Sequence, residues 1–245
     1  GGSGGDVPSF SAALSQPGVS IIAEIKYKSP SHGFFACQRT PEEISGSYSR
    51  AGAAALSVLT DQVFFAGSLE YLARVRKHLD QGVAGRPVPL LRKDFILDRY
   101  QILEAGNAGA SALLLIAAVL PGPRLKELLE ATGENGMEAL VEVHDPRELE
   151  AALESGAGII GVNNRNLKNF KVDIRTSFDI ARRLEGVEGL LLVSESGISE
   201  PLQIQELAAA GFEGFLIGSA FMDSEDPGEA LAGLLDRVGR PSSRA

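Results

Sequence analysis

Pro87-Val88-Pro89-Leu90-Leu91-Arg92-Lys93-Asp94-Phe95-Ile96-Leu97-Asp98 is a short apolar run bounded by prolines. It reads as a buried strand that delivers a lysine at its C-terminal end. A rigid strand fixes the base of Lys93 while the ammonium faces a cleft, and burial lowers a lysine pKa toward the range acid/base chemistry uses. A lysine at a strand end is more often a solvated terminus than a catalyst. Its meaning depends on which other strand ends arrive at the same place.

Apolar runs of strand length alternate with helical periodicity on both sides of this stretch. The strands are expected at Val19 to Ile25, Ala54 to Leu59, the Lys93 run, Ala112 to Ala117, Glu138 to Val143, Gly158 to Val162, Leu190 to Val193 and Gly214 to Ile217. Helices are expected after Thr40, Ser68 and Asp98 as N-caps, after the Pro-Gly-Pro turn at 121–123, after Asp145 with Pro146 at its first position, and near Glu200 and Asp226. Eight strand–helix units predict an α/β fold, a single closed (β/α)8 TIM barrel, rather than an open sheet, and no nucleotide-binding glycine fingerprint follows the first strand. Gly52, Gly109, Gly156 and Gly211 recur at the ends of alternate helices, where a left-handed C-cap residue is wanted.

With 245 residues, 44% hydrophobic and 22% charged, the chain can bury one full core. The barrel is expected over residues 6–238, preceded by a linker or cloning scar at 1–5 (Gly1-Gly2-Ser3-Gly4-Gly5) and followed by a flexible tail at 239–245. A net charge of −9 gives no global attraction for nucleic acid or an anionic membrane, so an anionic ligand must be drawn by local groups. The longest apolar run, Ala112 to Leu120, is too short to span a bilayer. Cys37 is the single cysteine, and His32, His78 and His144 are scattered without metal-ligand spacing. A reducing, cytoplasmic setting, no metal, no cofactor and no nucleic-acid or membrane partner are expected.

In such a barrel the active site lies at the C-terminal ends of the strands. There the first strand supplies Glu24 and Lys26, two apart and so on one face; the third gives Lys93, the fifth Glu142, the sixth Asn163 and Arg165, and the seventh Glu195 and Ser196. Two lysines and three glutamates at one mouth can sit partly buried while shifting one another's pKa values. Ser194 to Ser199 after the seventh strand and Leu216 to Ala220 after the eighth put Gly197, Gly218 and Ser219 where phosphate-binding barrels hold their anion, which points to a small phosphorylated substrate.

From about Val7 to Arg237 the chain resembles the indole-3-glycerol phosphate synthase family of tryptophan biosynthesis. The matching motifs are Ala23-Glu24-Ile25-Lys26 with Ser29-Pro30-Ser31, Phe64-Phe65-Ala66-Gly67-Ser68, Arg92-Lys93-Asp94-Phe95, Glu142-Val143-His144, Asn163-Asn164-Arg165, Ser194-Glu195-Ser196-Gly197-Ile198 and Leu216-Ile217-Gly218-Ser219. The resemblance implies a carboxy-lyase that turns 1-(2-carboxyphenylamino)-1-deoxyribulose 5-phosphate into indole-3-glycerol phosphate, releasing carbon dioxide and water. It implies Lys93 as the acid at the substrate ketone, with Lys26, Glu24 and Glu142 sharing the later proton transfers. Asn163, Glu195 and Ser196 would orient sugar hydroxyls and lysines. Arg165, Lys26 and Ser29 would hold the anthranilate carboxylate, and Phe65, Phe95 and Leu115 would face its ring.

Two departures bear on these expectations. The family carries a further N-terminal helical segment over the mouth where this chain has its Gly-Ser start, which predicts weaker affinity. In the loop after the first strand, His32 stands where a basic residue is common, and Tyr27 and Phe34-Phe35-Ala36-Cys37 are unusual; altered turnover is expected. Two other readings stay open: a truncated or engineered barrel that binds a phosphorylated ligand with little turnover, and Schiff-base aldol chemistry at Lys93. A monomer is expected, with association with other tryptophan-pathway enzymes as a further expectation.

Overall fold

The computed structural model describes residues 7–239. Eight parallel strands close a barrel: β1 (Ser20–Ile25), β2 (Ala55–Leu59), β3 (Leu90–Lys93), β4 (Ala112–Ile116), β5 (Glu138–Val143), β6 (Ile159–Asn163), β7 (Leu191–Glu195) and β8 (Gly214–Ile217). Eight helices ring it in chain order: α1 (Pro41–Ala51), α2 (Leu69–Leu79), α3 (Arg99–Asn107), α4 (Gly122–Glu134), α5 (Pro146–Glu154), α6 (Arg175–Arg183), α7 (Pro201–Ala209) and α8 (Pro227–Val238). The strands and helices expected from the sequence are present within a few residues. The expectations for residues 1–5 and for the tail beyond Gly239 lie outside the described residues. Among the described residues no helix is long and apolar enough to cross a membrane.

The helices start where the sequence places caps. Thr40 and Glu43 form a reciprocal capping box, and the Asp145 carboxylate accepts from the backbone N–H groups of Arg147 and Glu148 ahead of Pro146. Gly52, Gly109, Gly156 and Gly211 all have φ between 84° and 101°, the left-handed region a helix stop needs. The start of α6 had no such marker: its N-cap is Ile174, without a capping side-chain bond.

Alternation along each strand divides the core in two. One set (Ile22, Ala55, Leu91, Ala112, Leu114, Leu140, Ile159, Val193 and Leu216) fills the barrel interior, while the other (Ile21, Val58, Leu113, Leu115, Val141, Ile160 and Phe215 among them) packs beneath the helices. The short helix Phe10–Leu14 closes the bottom. Phe10 and Leu14 are fully buried in the interior set, and the Glu138 carboxylate at the start of β5 accepts from Ser11 N at 3.1 Å. Phe10→Ala is therefore expected to cost about 3–5 kcal/mol and to lower Tm by roughly 10 °C in a melting experiment. The strand ends at the opposite face, where the sequence places the candidate site, should be left undisturbed.

Candidate active site

The inward file of six of the eight strands changes character at its top. On β1 Ile22 gives way to Glu24 and then Lys26; on β3 Leu91 to Lys93; on β5 Leu140 to Glu142; on β6 Gly161 to Asn163; on β7 Val193 to Glu195; and on β8 Leu216 to Gly218. Strand pairing sets Asn163 beside Glu195 and Glu142 beside Gly161. These tops line one open cavity of about 620 Å³.

Lys93 stands between two acids. Its Nζ donates to Glu142 Oε2 at 2.9 Å and lies 3.1 Å from Glu195 Oε2. Burial alone pushes the ammonium toward neutrality, but Glu142, Glu195 and Glu24 outweigh it and hold the Lys93 pKa well above the ordinary lysine value. This corrects the expectation that burial would lower it: the strand delivers a lysine that is charged at neutral pH. Burial likewise pushes Glu142 up, yet Lys93 and His144 outweigh it and keep that carboxyl well below the usual range. Glu195 goes the other way. Burial, opposed by Lys93 and reinforced by the negative charges of Glu142 and Glu24, raises its pKa to about 7. Its Oε1 is buried without a hydrogen-bond partner among the described residues and occupies space that a Cβ on residue 161 would take, so Gly161 leaves room for it.

Lys26 forms a second cation–acid pair with Glu24, 2.8 Å apart on the same strand face. Its ammonium also lies 5.3 Å from the Phe35 ring centroid. Arg165 projects from the loop after β6; its Nη1 donates to Ser31 Oγ and to the Phe170 carbonyl, both at 3.2 Å, and its backbone N–H donates to Asn163 Oδ1 at 2.9 Å. Ser29 is buried at the same rim. The loop after β1 folds back as a small hairpin, Lys28–Ser29 against Gly33–Phe34, and His32 stacks on Phe35 and lies 3.3 Å from Asp223.

The apolar wall is made by Phe64, Phe65, Phe95, Leu114, Ile116 and Leu216, with Phe64 and Phe95 edge to face at 6.4 Å. Leu115 does not join it. It points outward into the fully buried layer beneath the helices, and its neighbours Leu114 and Ile116 face the cavity instead. In Ala112-Leu113-Leu114-Leu115-Ile116 both faces are apolar, so the run itself carries no marker of which leucine points inward.

Opposite Lys93's strand, Ser196 and Gly197 adopt successive left-handed conformations (φ 67° and 78°), a nest-like turn that gathers backbone N–H groups. Gly218 caps the short helix Ser219–Met222 and abuts Glu24, where a Cβ would come within 2.5 Å of Glu24 Oε1. Gly197, Gly218 and Ser219 all line the cavity.

Comparison with known proteins places the chain in a family. The family model described as indole-3-glycerol phosphate synthase matches residues 5–234. The chain belongs to this family. It is 45% identical to the indole-3-glycerol phosphate synthase of Bacteroides thetaiotaomicron, over 94% of this chain and 85% of that protein. It is 48% identical to that of Carboxydothermus hydrogenoformans, over 89% and 79%. Among solved structures, 3-hexulose-6-phosphate synthase superposes with a TM-score of 0.70 at 13% identity, over 90% of this chain and all (100%) of that one. A thiamine phosphate pyrophosphorylase from Pyrococcus furiosus gives 0.62 at 16%, over 91% and 98%. These two likenesses speak to the barrel alone.

Several contributors carry no mark in the sequence beyond their place in a motif. Asn164 is buried and ties the site's rear together: its Nδ2 donates to Ser194 Oγ and to the Ser196 carbonyl, both at 3.1 Å, and its Oδ1 accepts from Ser177 Oγ at 2.8 Å. Arg92 faces outward and braces the loop after β3 through Thr60, Asp94 and the Gln101 carbonyl. A buried arginine next to the lysine was the available signal, since arginine is almost never buried unpaired.

Proposed function

We propose that this chain converts 1-(2-carboxyphenylamino)-1-deoxyribulose 5-phosphate into indole-3-glycerol phosphate, releasing carbon dioxide and water. The observation that carries the reading is Lys93, kept charged by Glu142 and Glu195 at an apolar-walled mouth that also holds a glycine-serine anion cradle. Gly197, Gly218 and Ser219 take the phosphate; Arg165, Lys26 and Ser29 take the anthranilate carboxylate, for which a guanidinium fork is suited. Phe65 and Phe95, with Leu114 and Ile116, receive the ring.

The Lys93 ammonium donates to the ketone oxygen as the aromatic carbon attacks, stabilising negative charge where it develops. Proton transfer completes as that oxygen becomes more basic than the amine. Loss of carbon dioxide restores the aromatic ring. Dehydration then needs an acid for the leaving hydroxyl and a base for a ring proton, roles suited to Lys26, held by Glu24, and to the Glu142 carboxylate. Asn163, Glu195 and Ser196 orient the sugar hydroxyls and the lysines. A lysine held charged by two acids is a poor amine nucleophile, which favours this route over Schiff-base aldol chemistry. Action as a monomer and a cytoplasmic setting are part of the same proposal.

The test is indole fluorescence on adding the substrate, since the chain has no tryptophan. A rising signal supports the synthase; tight binding with no signal supports a barrel with little turnover; borohydride-trapped adduct at Lys93 supports the aldolase. A pH prediction follows from Glu195, which is neutral below about 7 and anionic above it. The substrate is an anion, so KM should rise as the pH passes upward through that value. In Glu195→Gln the rise should disappear.

A further inference from the structure

Glu142 has a second cation on its other oxygen, and the mechanism above leaves it unused. While Lys93 occupies Oε2, His144 Nε2 lies 3.3 Å from Oε1. His144 does not line the cavity; it stands just past the end of β5 with its side chain only 12% exposed. Its Nε2 is buried with no aligned hydrogen-bond partner among the described residues, and Glu142 Oε1 is the carboxylate in reach. The other ring nitrogen is anchored. Nδ1 lies 3.0 Å from Glu148 Oε2, the same oxygen that accepts the His144 backbone N–H at 2.7 Å. Glu148 is fixed in turn in the first turn of α5, its N–H donating to the capping Asp145 carboxylate at 3.0 Å, where a negative side chain is favoured by the helix dipole. Burial lowers the imidazole pKa, but Glu142 and Glu148 outweigh it and raise it to about 9, so the ring is a cation at neutral pH.

Resting on the synthase reading, we propose that His144 is a positioning residue for the reaction, gripping Glu142 by Oε1 so that Oε2 stays aimed at Lys93. Its importance is greatest after substrate arrives. Once the Lys93 ammonium turns part of its hydrogen bonding to the ketone oxygen, Glu142 loses some of its hold on that side. A carboxylate held from only one side can rotate; one held at Oε1 keeps its charge and aim for the proton transfer that follows. The contact therefore belongs to turnover and not to binding.

The experiment compares His144→Ala, His144→Gln and Glu148→Gln with the wild-type chain, reading kcat and KM by indole fluorescence. Affinity for added indole-3-glycerol phosphate is titrated separately, as a readout that needs no turnover. In His144→Ala kcat should fall roughly ten- to a hundredfold, part of what a well-placed acid–base group contributes. KM and product affinity should stay within about twofold. His144→Gln, whose amide can reach Glu142 as a neutral donor, should recover most of the loss, and Glu148→Gln should show a smaller loss of the same kind. Unchanged kcat in His144→Ala overturns the role, as does weakened product binding in step with kcat, or a folded Gln variant no better than Ala. If His144→Ala does not fold, Glu148→Gln decides: lower kcat at unchanged KM supports the role, and wild-type kcat overturns it. A wild-type chain that binds the product yet makes no indole overturns the synthase reading and this role together, whereas an active wild type with an unaffected variant overturns this role alone.

Discussion

Lys93→Ala forms no indole-3-glycerol phosphate above background in the fluorescence assay, while added product still binds. The variant removes both the proton donor and the charge that stabilises the developing oxyanion, effects worth together about 10³-fold or more in kcat. Binding survives because the anion cradle and most of the apolar wall come from other strands. The variant also leaves Glu195 without its cation and Glu142 with His144 alone, and deleting one member of a buried ion pair costs about 3–5 kcal/mol. That cost has a direction in pH. With Lys93 gone, the Glu195 carboxyl, already raised above its unfolded value, is pushed higher still, so the native state binds an extra proton over a wider pH range. Stability is then greatest below the unfolded carboxyl pKa and is lost as the pH rises through the raised native value. Thermal melts should show Lys93→Ala falling further below wild type at pH 8 than at pH 5. An equal deficit at both would mean that the two glutamates do not depend on Lys93.

Gly218→Asp has the second large effect, for two separable reasons. A Cβ at this position would come within 2.5 Å of Glu24 Oε1 and 3.0 Å of Glu24 Cβ, so Glu24 must shift, which disturbs its 2.8 Å pair with Lys26. The new carboxylate also stands where the substrate phosphate is proposed to sit, and like charges brought together there cost several kcal/mol, or about a hundredfold or more in affinity. Companion variants divide the two. Ser219→Asp brings the charge to the cradle at a position that is only half-buried, and should weaken product binding with little change in kcat. Gly218→Ala brings the clash without the charge, and should lower kcat with less change in affinity. Product affinity that is unchanged in both aspartate variants would remove the phosphate assignment.

The barrel was legible because its punctuation is local. Caps such as Thr40 and Asp145, glycine stops such as Gly52 and Gly211, and short apolar runs each act through neighbours in sequence. The site's outline was legible for a related reason: in strands buried on both faces, a charged residue is conspicuous, and Glu24, Lys26, Lys93, Glu142 and Glu195 declare the inward face. Where no charge marked it, the reading failed, and Leu115 was put on the side that Leu114 and Ile116 hold. The charge state of Lys93 was misjudged because burial is visible in an apolar run, whereas the two carboxylates that outweigh it arrive from strands β5 and β7. His144 and Asn164 act through partners reached only in three dimensions, so the motifs that contain them gave no hint of what they hold.

The inward files of the strands, apolar below and charged above, also bear on how the chain avoids misassembly. A strand that paired one residue out of step would turn its charged top into the layer beneath the helices, placing Lys93 or Glu142 among side chains such as Leu115 and Val162 of neighbouring strands. Shifted pairings of all-apolar strands like Ala112–Ile116 would otherwise differ little in energy from the native one. The same charges that equip the mouth for chemistry thus act during folding as proofreaders of strand alignment.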